Sequence, residues 1–380
     1  TRATDAASEI SRINAFFPIM PILGNRWAAS RPFEGLTIGI SAHLTTFTAA
    51  LVRELQLGGG QWVLCGASDA TTDLGVVKLL RSNGLSVYTT GSREDALMQV
   101  LEHEPSIIAD VGADLIGTLV QKKPELAKKM HGAVEVTKSG ANRLRTLDLP
   151  FGVVNINDGR LKPAVENRHG VGEGLWQALQ SLTGIHLSGR RVGVIGYGPV
   201  GRGIAAYARA AGANVQVVEQ NPIRRLVAHY DGFPTLEVSE CLERVGIVVT
   251  CTGQRNIIGP EQLSQASDGM VLANAGHGGD EIDVSAIKAA AVAVDQIADH
   301  VVNYKIENGP SVIIMADGHP LSIVTNAGSP EPVLLHFGVL GLTLEWLTRN
   351  SVVPGEASIP QGIEEEAAQL ALHALSIAHG

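Results

Sequence analysis

The stretch RRVGVIGYGPVGRGIAAYARAAG, residues 190–212, leaves this chain few folds to choose from. A short apolar run feeds Gly196-Tyr197-Gly198-Pro199-Val200-Gly201, and a run of small residues with helical character leaves it. In that setting each glycine has a job. Gly196 permits a tight turn, Gly198 lets an anionic group approach the backbone at a helix N-terminus, and Gly201 lets helix and strand pack closely. The next apolar run, NVQVVE (214–219), ends on Glu219, placed to bind the ribose hydroxyls of NAD. Its carboxylate repels the extra phosphate of NADP, although Arg224 and Arg225 follow closely. The alternative is a helix-packing turn that holds no ligand.

The same alternation of strand-length apolar runs and helical patterns extends along the chain and implies parallel βαβ units. Strands are expected at 37–41, 61–66, 86–90, 106–110 and 152–156, and a second series at 190–196, 214–219, 245–251, 269–275 and 291–295. GEGLWQALQSLTG (172–184) reads as a helix stopped by Gly184, 332–347 as another, and VVPGEASIP as a turn before a C-terminal helix. The expected fold class is α/β: two doubly wound Rossmann-like domains joined by a hinge. Its parts are a substrate-binding domain over 1–158, a hinge segment and connecting helix over 159–184, and an NAD-binding domain over 185–325. The chain then returns to the first domain over 326–350 and ends in a helical segment over 351–380.

With 380 residues, two domains are the natural expectation. A net charge of −9 without a Lys/Arg run argues against nucleic acid, and no apolar stretch approaches membrane-spanning length. Cys65, Cys241 and Cys251 form no C-x-x-C pair and suit reduced thiols. The start, TRATDAASEI, carries no charged-then-apolar signal, so a cytoplasmic protein is expected. No metal site is expected.

NINDGRLKPAVENRHG, residues 155–170, is too polar for a core and falls at the expected domain junction, where ligand sites are common. Other polar residues close predicted strands: His43 in SAHLT, Asp110 in IIADVGADL, and Asn274 with His277 in NAGHG. Open parallel sheets bind ligands at such C-terminal edges. Two imidazoles, a carboxylate and Lys162 would supply acid and base groups near a nicotinamide. Each also has a plainer reading: His43 as a helix cap, Asp110 as a cap or loop carboxylate, His277 as a solvated loop residue.

These segments, in this order, resemble the S-adenosylhomocysteine hydrolase family. The likeness runs from RWAASRPFEGLTIGISAHLT through IIADVGADL, NINDGRLKPAVENRHG, VIGYGPVGRG, VVEQNP and TCTG to NAGHGGDEID. It implies a held NAD that oxidises a nucleoside 3′-hydroxyl transiently, so that the 4′ proton is lost and the 5′ thiol leaves. It implies further that Lys162, with Asn167 and Glu166 beside it, assists oxidation, that Asp110 is the acid/base near C4′ and C5′, and that His43 and His277 serve leaving group and water. Thr45 and Phe47 fall at base-contacting positions and Glu135 at a substrate position. Gly196, Gly198, Pro199, Val200, Gly201, Glu219, Thr137, Ser139, Thr252 and Asn274 fall on the cofactor side. A homo-oligomer, dimer or tetramer, is implied as well.

The departures are specific. Val136 stands where the family carries a carboxylate for the ribose hydroxyls, Glu166 replaces an Asp, and Val171 replaces a Cys. Phe47 replaces an acid or amide that reads the adenine amino group. Ser329 and Ser322 replace a His and an Asn, and the sequence ends at ALHALSIAHG without the family's Lys/Tyr tail. Three readings therefore stand side by side. The chain is a divergent hydrolase, or a paralogue applying the same 3′-keto chemistry to another nucleoside by epimerisation, elimination or oxidation, or a catalytically silent NAD-binding regulator.

Overall fold

A computed structural model describes residues 5–89, 91–276 and 280–379. The chain divides into two compact units, one formed by Thr1–Lys162 with Pro330–Gly380 and one by Pro163–Ser329.

The first unit is built on a seven-stranded sheet. Its strands are β1 (Thr37–Ala42), β2 (Gln61–Gly66), β3 (Ser86–Tyr88), β4 (Ile107–Asp110), β5 (Gly132–Glu135) and β6 (Gly152–Asn155), joined late in the chain by β14 (Gly355–Ser358). Their order is β14-β6-β5-β4-β1-β2-β3 and every pairing is parallel. Chain direction across the sheet reverses at β1, which has β2 on one side and β4 on the other. That is the topological switch where doubly wound sheets open a crevice.

Two of these strands lie where the sequence suggests none. β5 is four residues long and bounded by Gly132, too short to show a period. β14 occupies the predicted turn VVPGEASIP and pairs with β6, Glu356 beside Val153. An edge strand of four residues has little apolar signal of its own and exists because β6 offers it a free edge.

Helices cover both faces. On one, Leu51 and Leu55 of the helix Thr46–Leu57 and Leu334 and Val339 of the helix Pro330–Leu347 pack on Ile38, Ile107, Val134 and Val154. On the other, Leu115, Ile116 and Leu119 of the helix Asp114–Lys122 pack on Ile108, Ala133 and Val153. Successive strand residues feed opposite cores, which is the two-residue period of a sheet buried on both sides.

The second unit carries β7 (Arg191–Ile195), β8 (Asn214–Val218), β9 (Ile247–Thr250), β10 (Met270–Asn274), β11 (Ala291–Ala298), β12 (Val301–Ile306) and β13 (Ser311–Met315) in the order β11-β12-β13-β10-β9-β7-β8. β8-β7-β9-β10-β13 are parallel; β12 runs antiparallel to β13, and β11 to β12. The run AVAVD thus belongs to an antiparallel edge hairpin and does not continue the parallel series. Its turn, Asp299-His300, puts His300 at φ +61°, which closes the hairpin locally and needs no crossover helix. The helix Val171–Thr183 ends at Gly184, φ +69°, as its sequence suggests. Among the described residues no helix is long and apolar enough to cross a membrane.

Candidate functional site

The glycine turn of the second unit has the geometry its sequence demands. Gly196 sits at φ +105° at the end of β7. A Cβ on Gly201 would lie 1.9 Å from the Gly196 carbonyl oxygen, so only glycine lets the helix Pro199–Ala210 start there. Gly198 is different: a Cβ there would meet nothing nearer than Arg224 Nη1 at 3.9 Å, leaving open space over the helix N-terminus. A cleft of about 360 Å3 opens at this point, lined by Arg168, Gly198, Pro199, Arg202 and Arg224 among others. Val200 in the first helical turn packs partly against the core.

Glu219 follows β8, and its carboxylate accepts the amides of Tyr197 and Asn221, both at 2.8 Å. It therefore links the glycine turn to the next strand and keeps acceptor capacity for hydroxyls. Across the switch, Thr252 follows β9, and its amide and hydroxyl both donate to Glu281 at 2.8 Å. Asn274 ends β10. Its Oδ1 accepts the Gly276 amide at 2.7 Å and its Nδ2 donates to the Gly318 carbonyl at 2.9 Å. Gly196, Glu219, Thr252 and Asn274 thus share the C-terminal rim of one sheet, and the open backbone over Gly198 suits a dinucleotide pyrophosphate. His277 lies outside the described residues.

In the first unit, His43 follows β1 and bonds through Nδ1 to Thr71 Oγ1 at 2.7 Å, while its carbonyl accepts the Thr48 hydroxyl at 2.6 Å. Thr45 is the N-cap position of the helix Thr46–Leu57, and Phe47 in the first turn lies half-buried against the core.

Asp110 and Glu135 occupy paired positions of β4 and β5. Ile107, Ala109, Val134 and Val136 belong to the core under the helix Pro330–Leu347. By alternation the two carboxylates point to the opposite face, under the helix Asp114–Lys122. There Asp110 Oδ2 accepts the Ile116 amide at 2.8 Å. Glu135 accepts the amides of Gly112, Ala113 and Thr137 at 3.1, 2.8 and 2.7 Å and the Thr137 hydroxyl at 2.7 Å. Thr137 Oγ1 in turn accepts from Gly140 and lies 3.2 Å from the Ser139 hydroxyl. Burial is the main force raising both acids: Asp110 to about 6 and Glu135, which also feels Asp110, to about 8. Thr137 and Ser139 are thus part of the first unit's loop framework.

The rim on the other face carries Val111 and Val136, with Leu161 and Phe47 against the same core. Lys162, 8% exposed, closes this unit. His336, on the helix Pro330–Leu347, is 3% exposed; burial, followed by the charge of Lys162, holds its imidazole well below the usual range. The structure therefore brings Lys162 and His336 together and keeps Asp110 and Glu135 on the far side of the sheet. Sequence reasoning passes over His336 because it sits in an apolar helical run, LLHFG, with no polar neighbour to draw attention.

The polar segment 155–170 proves tightly tied. Asn155 donates to Asp158 at 3.0 Å and to Glu356 at 2.7 Å, and its own Oδ1 accepts the Asn157 amide at 3.0 Å. Glu364 of the C-terminal helix Ile363–His379 accepts the amides of Arg160 and Leu161 at 2.7 and 2.8 Å. Lys162–Gly170 then form wide π-type turns that run into the helix Val171–Thr183, an arrangement frequent at functional sites. Glu166 and Asn167 fall in the second unit.

Residues 167–328 match the family described as "S-adenosyl-L-homocysteine hydrolase, NAD binding domain". Along nearly the whole chain, the S-inosyl-L-homocysteine hydrolase of Methanopyrus kandleri is 35% identical over 374 residues, 94% of this chain and 88% of that protein. The adenosylhomocysteinases of Nostoc sp. and Thermotoga maritima are 33% and 30% identical, covering 95% and 97% of this chain and 88% and 94% of theirs. Among solved structures, a dipicolinate synthase chain from Bacillus halodurans shares the fold at TM-score 0.53 and 15% identity, over 84% of this chain and 100% of that one. With a glycine turn built for NAD and relatives matching across both units, the chain belongs to the S-adenosylhomocysteine hydrolase family and carries its NAD-binding domain.

Proposed function

We propose that the protein hydrolyses a nucleoside thioether of homocysteine through a transient 3′-ketone. The observation that carries this reading is Lys162, an amine with 8% exposure at the rim of the first sheet, set against His336 and an apolar wall. When bound, NAD supplies a reversible hydride acceptor for the substrate's C3′. Gly196, Gly198, Gly201, Glu219, Thr252 and Asn274 would hold it. Lys162 takes the 3′-hydroxyl proton, with Glu166 and Asn167 orienting that hydroxyl. The ketone acidifies the 4′ C–H; a base removes that proton, its electron pair forms the C4′=C5′ bond, and the C5′–S bond breaks with its electron pair leaving on sulfur. Water then adds across C4′=C5′, and return of the hydride to C3′ restores the 3′-hydroxyl, so there is no net redox change. His43 and His277 are assigned to the departing thiolate and the incoming water. Asp110 and Glu135 belong to this reading as supports of the rim, since the chain's own donors engage both.

A second reading keeps the chemistry and changes the substrate. Its support is the apolar trio Phe47, Val111 and Val136, which offers no acceptor to a base amino group or sugar hydroxyl. Relatives named for adenosyl and for inosyl substrates make the base the first variable to test. Purified protein should release homocysteine thiol from S-adenosyl- or S-inosyl-homocysteine. No thiol from either, with 3′ or 4′ hydrogen exchange into other nucleosides, would replace the first reading by the second. Neither thiol release nor exchange would leave an NAD-binding regulator. Lys162→Ala should slow the rise of absorbance at 340 nm by about 100-fold or more while the bound NAD is retained. An oligomer of two or four chains in the cytoplasm completes the proposal, and sedimentation tests the assembly.

A further inference from the structure

We propose that Glu281 is a positioning residue for the cofactor: its carboxylate sets the wall of the second sheet's crevice that faces the glycine turn. The proposal rests on the NAD-dependent reading above. Glu281 is 1% exposed, and three of its acceptor positions are taken by the chain itself. Oε2 receives both the amide and the hydroxyl of Thr252, and Oε1 receives the Gly253 amide, all at 2.8 Å. A carboxylate so occupied is an anchor, not a ligand for an anionic cofactor.

The anchor is itself fixed. The Glu281 carbonyl accepts the amides of Ile257 and Ile258 at 2.7 and 3.2 Å, and Ile258 and Ile282 pair as an isolated parallel bridge. Its side chain then reaches back across Gly276, where a Cβ would lie 1.9 Å from Glu281 Oε1. Gly276 is thus a glycine because the carboxylate passes over it. The carboxylate adds a side-chain link between the segments after β9 and β10.

What it positions follows from the sheet order. β7 and β9 are neighbours at the topological switch, where ligands of open sheets bind. A Cβ on Gly196 would come within 3.2 Å of the Thr252 amide nitrogen, the same N–H that donates to Glu281. Glu281 therefore orients the Thr252 peptide that forms the crevice wall opposite Gly196. Without it, the amides of Thr252 and Gly253 and the Thr252 hydroxyl lose their acceptor and the wall is free to turn.

The test uses the full chain with and without NAD. Glu281→Ala should raise the dissociation constant for NAD at least tenfold. In the NAD-free protein it should speed amide hydrogen exchange at Thr252 and Gly253 at least tenfold. Glu281→Asp, which keeps the charge, should recover part of the affinity. Gly276→Ala should weaken NAD in the same direction, and Gly276→Ala combined with Glu281→Ala should be no weaker than Glu281→Ala alone, because the collision has been removed. Should Glu281→Ala precipitate, Glu281→Gln is read by the same two measurements. Wild-type affinity and exchange in these variants, or additive losses in the double variant, would overturn the proposal. None of these measurements needs turnover. A wild-type chain that releases no thiol would defeat the proposed hydrolysis and leave Glu281 standing, whereas intact NAD affinity in Glu281→Ala would defeat the role of Glu281 alone.

Discussion

Asp110 and Glu135 show how one residue's direction changes its chemistry. Both close strands at the C-terminal rim, yet both turn under the helix Asp114–Lys122, where burial raises Asp110 to about 6, with Asp114 adding to it, and raises Glu135 to about 8, with Asp110 adding to it. A carboxyl raised on folding stabilises the fold in its protonated form. That stability is complete below the ordinary carboxylate range and is lost as pH rises through about 6 and then about 8. The first unit should therefore lose stability progressively between pH 5 and pH 9, seen as a falling melting temperature. Asp110→Asn, which keeps an acceptor for the Ile116 amide, should flatten that dependence. Melting curves across this range check it, and an unchanged slope in Asp110→Asn would remove Asp110 from the account. The sequence placed Asp110 at a strand end, whereas Glu135 closes a strand, β5, that the sequence does not suggest. It had no means of telling which face they point to, because that depends on which helices cover each side.

At the scale of single elements, buried acceptors organise the rims. Glu135 gathers four donors from the turns after β4 and β5, and Gly140 makes room for it: a Cβ there would lie 2.1 Å from the Glu135 carboxyl carbon. Gly140→Ala should cost about 1–3 kcal/mol by overpacking, read from urea unfolding of the full chain. The segment before Lys162 is held in the same manner by Glu364. Glu364→Ala removes the acceptor of two amides and should cost about 2 kcal/mol. It should also slow reduction of bound NAD without changing how much NAD the protein retains. A normal rate in that variant would separate the staple from Lys162. Neither partner was visible from sequence: Glu364 lies 204 residues from Arg160 and Glu356 lies 201 from Asn155.

At the scale of the molecule, the second unit is one continuous segment with its own cores, whereas the first is completed by the chain's return at Pro330. Residues 163–329 expressed alone should fold and bind NAD within about tenfold of the full chain, as a contiguous domain can. Isothermal titration checks this, and failure to bind would mean that residues of the first unit complete the cofactor site. By itself the sequence determined the alternating α/β plan, the glycine turn, the acid after β8 and the family, because each is written in neighbouring residues. A tight turn needs its glycines wherever it occurs, and a helix stop needs Gly184. The tertiary structure decided what depends on pairing and coverage. β14 became a strand only because β6 had an open edge, and β11 turned antiparallel at the end of its sheet. The rim's acids and valines were sorted to opposite faces by strand register. His336, within an apolar helix, became the companion of Lys162 only when residues 174 positions apart in sequence were folded onto one face.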